Sequence, residues 1–165
     1  ADNSYGGGTT INGGRSLQVG DGGASGSLGT AGVVNDGSLV FNRSGSVTVG
    51  GAISGSGSLA ANGAGTVVLA ADNSHAGGTT IASGATLQVG NGGTAGTLGA
   101  GTVGNDGTLV FNRSDTVVQA TAINGSGGLR QAGSGTLVLA ANNGYAGSTT
   151  VESGGTLQVG NGGTT

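Results

Sequence analysis

An all-β solenoid is predicted, a parallel β-helix of about seven coils spaced by the ordinary distance between paired strands. Three observations predict it. The chain repeats every 70 residues: Ala1-Asp2-Asn3-Ser4 returns as Ala71-Asp72-Asn73-Ser74 and, loosely, as Ala141-Asn142-Asn143-Gly144. Copies 1–70 and 71–140 align without a gap, and 141–165 begins a third, so the whole is expected to be a single solenoid piece of a longer protein. A gapless period means that each copy packs on the next in one fixed geometry. Short strand signals recur in fixed order inside each copy, and no stretch carries an apolar stripe of helical period.

The first strand signal is Ser38-Leu39-Val40-Phe41, repeated as Ser58-Leu59-Ala60-Ala61, Thr86-Leu87-Gln88-Val89, Thr108-Leu109-Val110-Phe111 and Gly128-Leu129-Arg130-Gln131. A second follows in most turns, as in Val47-Thr48-Val49, Val67-Val68-Leu69, Val117-Val118-Gln119 and Leu137-Val138-Leu139. A third follows that, as in Ala52-Ile53, Thr79-Thr80-Ile81, Ala122-Ile123 and Thr149-Thr150-Val151. Three strand types per turn and three turns per copy are therefore expected. Alternation has a period of two, so Leu39 with Phe41, Leu87 with Val89 and Leu157 with Val159 point the same way.

Between the strands stand Asn35-Asp36-Gly37, Asn105-Asp106-Gly107, Asp21-Gly22-Gly23, Asn91-Gly92-Gly93 and Asn161-Gly162-Gly163. Asp36, Gly37, Asp106 and Gly107 are expected to turn the chain, since these residue types tolerate positive φ. Such dipeptides often mark hairpins. A meander of hairpins, however, gives no reason for three strand types to recur in order, whereas a coil with three walls does. Leu39, Leu59, Leu87, Leu109 and Leu129 are then expected to stack as one inward ladder, with Leu157 as its member in the third copy. Each coil buries only a few aliphatic side chains, which about offsets the ordering of some 20 residues, so stacking must supply the margin.

Composition excludes several functions. Glycine is 42 of 165 residues with no proline, so collagen is excluded, and phased apolar pairs argue against disorder. The net charge is −3 with four basic residues, which provides no basic stripe for nucleic acid. No apolar run is long enough to span a membrane as a helix. The lack of cysteine removes disulfides and thiolate metal sites.

The stretch from Gly57 to Leu87, with Gly63-Ala64-Gly65-Thr66-Val67-Val68-Leu69, Asp72-Asn73-Ser74-His75-Ala76-Gly77-Gly78-Thr79-Thr80-Ile81 and Gly84-Ala85-Thr86-Leu87, resembles the passenger-associated transport repeat of bacterial autotransporters. The pattern returns from Gly127 to Leu157 and, in part, from Asn3 to Leu17. The resemblance implies a right-handed β-helical passenger exported by type V secretion through an outer-membrane barrel at the parent's own C-terminus. It implies a surface-displayed or secreted protein of an adhesin-rich, virulence-associated family. The partners it implies are that barrel and, through solenoid association, like molecules.

No catalytic site, metal or cofactor is expected. His75 is the one histidine and replaces Tyr5 and Tyr145, so a ring packed over a corner is its expected role. Asp36 and Asp106, three coils apart, are too distant for an acid–base pair. Gly99-Ala100-Gly101-Thr102-Val103-Gly104 fits a dinucleotide pattern, but no helix follows it. Arg43 and Arg113 are placed in a sparse outward row, and Thr9-Thr10, Thr79-Thr80 and Thr149-Thr150 on one polar face. The expected function is a structural stalk that supports export and presents adhesive or effector regions. The alternative is a directly adhesive, self-associating surface.

Overall fold

The computed structural model describes residues 2–162; Ala1 and Gly163, the last glycine of an expected turn, lie outside them. The described residues form nineteen short strands and no helix. Every pairing between strands is parallel. The result is a β-solenoid of about 8 turns, one more than the sequence spacing gives.

Three walls run along its axis. A seven-stranded sheet carries Leu17, Leu39, Leu59, Thr79, Val103 and Ile123 in register. A six-stranded sheet carries Val47, Val67, Leu87, Leu109, Leu129 and Thr149. The third wall begins with Thr9, Val33 and Ile53 and ends with Val117, Leu137 and Leu157. Between those halves its backbone ladder is interrupted, and side-chain bonds from Asn73 to Ile53 and Thr97 bridge the gap.

This register corrects the single leucine ladder. Leu39 does stack on Leu59, but Leu59 pairs with Thr79, and Leu87 pairs with Val67. Leu87, Leu109 and Leu129 form a second rail on the next wall, and Leu157 sits on the third, beside Leu137. The cause is coil length. Register partners are mostly 20 residues apart, so the 28-residue gap from Leu59 to Leu87 holds a full coil and one further strand. The Thr79–Ile81 strand fills the wall position that Leu59 hands on.

A copy likewise fills three coils and then one strand more. Three coils from Val33 end near Thr97, and six further residues carry the chain to Val103 on the next wall. Equivalent residues of successive copies therefore face different walls. Leu17, Leu87 and Leu157 occupy one each.

The core is thin and aliphatic. Leu39, Leu59, Leu87, Leu109 and Leu129 are buried, with Phe41, Phe111, Ile53, Ile81 and Ile123. Leu157 is partly buried and Val159 is exposed, because no described coil covers the last one. Leu157 and Val159 pair in register with the buried Leu137 and Leu139, but in this last described coil they are not both buried themselves.

Candidate functional site

Once per copy the regular coil opens into an exposed loop, around Asp21–Ser25 and around Asn91–Ala95. Register partners across it are 24 residues apart, as in Thr9 with Val33 and Thr79 with Val103. Glycine makes the loop possible: Gly22 has φ +97° and Gly92 +85°, and among the described residues no residue other than glycine takes positive φ. Beneath each loop lies a buried arginine. Arg43 donates to the carbonyls of Gly26 and Ala24. Arg113 donates to Gly96 at 2.7 Å and to Thr94. Asp2 and Asp72 close the ring, since each accepts the Gly26 or Gly96 N–H and lies 3.6 Å from the arginine.

Arg43 and Arg113 are therefore not the outward row expected from sequence; both are buried. The guanidinium supplies several donors to carbonyls that the looped-out backbone leaves without strand partners. Sequence reasoning missed this role. The signal available was the pairing of each Arg with a Gly-Gly loop some twenty residues before it.

The two clasps differ beside the guanidinium. Asp115 accepts from Arg113 Nε at 2.9 Å and from Nη2 at 2.8 Å, and that bonding holds the Asp115 carboxyl below the usual carboxylate range. Gly45 occupies the matching place beside Arg43, whose buried Nε has no partner. A Cβ at Gly45 meets Ala24 at ordinary contact distance, and its φ is not positive. Gly45→Asp is therefore expected to raise stability by about 0.5–1 kcal/mol, through a partly exposed pair and a less flexible unfolded chain. Denaturant midpoints check it. The pair's share of the gain should be present at neutral pH and vanish as pH falls through the carboxylate range.

A second recurrent contact joins the ring at position 5 of each copy to a threonine four residues on. The Tyr5 hydroxyl meets Thr9 Oγ1 at 2.7 Å, Tyr145 meets Thr149 at 2.8 Å, and His75 Nε2 meets Thr79 Oγ1 at 3.1 Å. Gly29 and Gly99 lie against the ring of Tyr5 and His75, where any side chain would clash. His75 thus packs over a glycine floor.

The turn residues divide their work differently from expectation. Asp36 and Asp106 do not take positive φ. Each accepts the N–H and hydroxyl of a serine in the next coil, Ser56 at 2.9 and 3.0 Å and Ser126 at 2.9 Å for both. Those bonds hold both carboxyls below their ordinary range. Gly37 and Gly107 are not left-handed either; a Cβ there would lie 2.2 Å from the Arg15 carbonyl or 2.3 Å from that of Ala85. Asn35 and Asn105, read from sequence as turn residues, end strands with buried side chains. Asp36 follows a third-wall strand and Asp106 a first-wall strand, so they do not share a row.

Nor do the threonine pairs make one face. Thr9–Ile11, Thr79–Ile81 and Thr149–Val151 lie on three different walls, and Thr79 is itself buried. Gly99 to Gly104 joins a turn to a parallel strand, with no helix after it.

The passenger-associated-transport-repeat family model matches residues 1–19, 54–89 and 129–159, more than half of the chain. Both arginines and their loops fall between the matched stretches. A similar curated protein is the adhesin BmaC autotransporter of Brucella suis biovar 1 (strain 1330). It is 41% identical over 148 residues, covering 77% of this chain and 4% of that protein's own length. No solved structure matches.

Proposed function

The chain belongs to the passenger-associated-transport-repeat family, and from that premise we propose that it is a structural stalk segment of an autotransporter passenger. The passenger is exported across the outer membrane and is surface-displayed or secreted. The stalk folds by stacking coils outside the cell, supports export in that way, and presents adhesive or effector regions carried elsewhere in the parent. Its partner in export is the parent's own C-terminal barrel. This role is non-enzymatic.

One observation carries this reading: what recurs from copy to copy is the internal bracing. The arginine clasp and the ring–threonine bond repeat, whereas equivalent outward residues turn to a different wall in each copy. A surface selected to bind through repetition would keep its motif on one face.

Membership of an adhesin-containing family favours a second reading, in which the rod surface itself associates with like molecules. Sedimentation of the protein and of a Thr10→Ala/Thr80→Ala/Thr150→Ala variant separates the two. The stalk reading expects identical association for both at every concentration. Association that survives high salt and disappears in the variant would replace it with the adhesive one.

A further inference from the structure

We propose that His75 makes the middle of the rod acid-sensitive, acting as a latch that stays closed while its ring is neutral and lets the covering segment Thr97–Gly101 lift when the ring is protonated. His75 is fully buried, and only Nε2 has a partner, the Thr79 hydroxyl. Nδ1 is buried with none. A proton added there would be a buried charge with no acceptor. Burial correspondingly holds the imidazole below its ordinary value of 6.5.

The elements packed against the ring offer no compensation. Ala100 N–H donates to the His75 carbonyl at 2.8 Å, and Ala76 N–H to Gly55 at 2.8 Å. Ile53 to Gly57, Gly78 to Ile81 and Thr97 to Gly101 contain no titratable residue. Asp36, Asp72 and Asp106, the carboxylates bordering them, are bonded to Ser56, to Gly96 and to Ser126. Asp72 also lies against Arg113. The latch sits where the third wall's strand ladder is interrupted, and what holds Thr97–Gly101 there is the Asn73–Thr97 bonding at one end and the Ala100 N–H at the other.

The sign follows from linkage. The fold favours neutral His75, so the latch is fully closed above about pH 6.5 and loosens as pH falls below it. Tyr5 and Tyr145 hold the equivalent places with a phenol ring instead of an imidazole.

Amide exchange at Ala76, Thr79 and Ala100 tests this, corrected for intrinsic rates, at about pH 7.5 and about pH 5, a window above the ordinary carboxylate range. Protection at these amides is expected to fall on the order of ten-fold per unit of separation between the closed and open forms' titration. Amides of the Thr136–Leu139 strand, one coil further on, should not change. In His75→Tyr the fall should disappear, because tyrosine keeps the bond to Thr79. If that variant does not fold, His75→Gln, neutral with an N–H donor, serves in its place. The chain's one imidazole also gives a single NMR signal, expected to remain neutral through pH 6.5. Unchanged wild-type protection, an ordinary imidazole titration, or a fall that persists in the variant would overturn the latch.

Discussion

Leu87→Ala is expected to destabilise the rod by about 2–5 kcal/mol, the cost of deleting a fully buried leucine and leaving part of its volume empty. Leu87 is sealed between Val67 and Leu109 on the second wall. In a core this thin there is no second layer to collapse into the cavity. Because each coil contacts only its neighbours, the loss should be concentrated in the coils around Leu87. Leu157→Ala should cost much less, since Leu157 is only partly buried. Urea unfolding of the two variants checks both the size and the order. Equal small effects would mean that the interior leucines do not carry the fold.

Arg113→Met is expected to cost about 2–4 kcal/mol, because the buried Gly96 carbonyl loses a charged donor at about 1–3 kcal/mol and the part-buried Thr94 carbonyl loses one at less. The methionine keeps most of the aliphatic stem, so the loss reports the guanidinium. The ion pairs to Asp72 and Asp115 add little, since both acids are substantially exposed. The damage should appear locally as faster proteolysis within Asn91–Ala95. Arg43→Met should act the same way on Asp21–Ser25. An unchanged midpoint and an unchanged cleavage rate would show that the loops stand without the clasp.

Much of this architecture is legible in the sequence because strand alternation and glycine-bounded corners are local signals. Ser38–Phe41, Ser58–Ala61, Thr86–Val89, Thr108–Phe111 and Gly128–Gln131 are strands in the structure, with the same bounds. What the sequence conceals is which strand lies on which. Similar Ser-Leu and Thr-Leu segments suggest that like stacks on like, whereas stacking is decided by how many residues complete a coil. Thr79–Ile81 reads as an accessory strand but is a full wall position, and that one strand moves the whole next copy to a new wall.

The bracing groups were hidden for a different reason. Arg43 and Arg113 are charged, and charge in a single sequence reads as surface. Only the looped backbone, with its unpaired carbonyls, explains why burying them is favourable. Asn35 likewise reads as a turn residue because it precedes Asp-Gly. In the fold its buried amide donates to the Ser58 carbonyl of the next coil at 2.8 Å.

The coil register is the claim on which the remainder depends, and cysteine pairing measures it directly in a chain with no native cysteine. Ala60 and Thr80 are in-register neighbours on the first wall, a separation that suits a disulfide. Ala60→Cys/Thr80→Cys should oxidise readily to an intramolecular disulfide, while Ala60→Cys/Gln88→Cys should not. Efficient closure of the second pair, with none of the first, would place Leu59 on Leu87 and contradict the three-walled register described above.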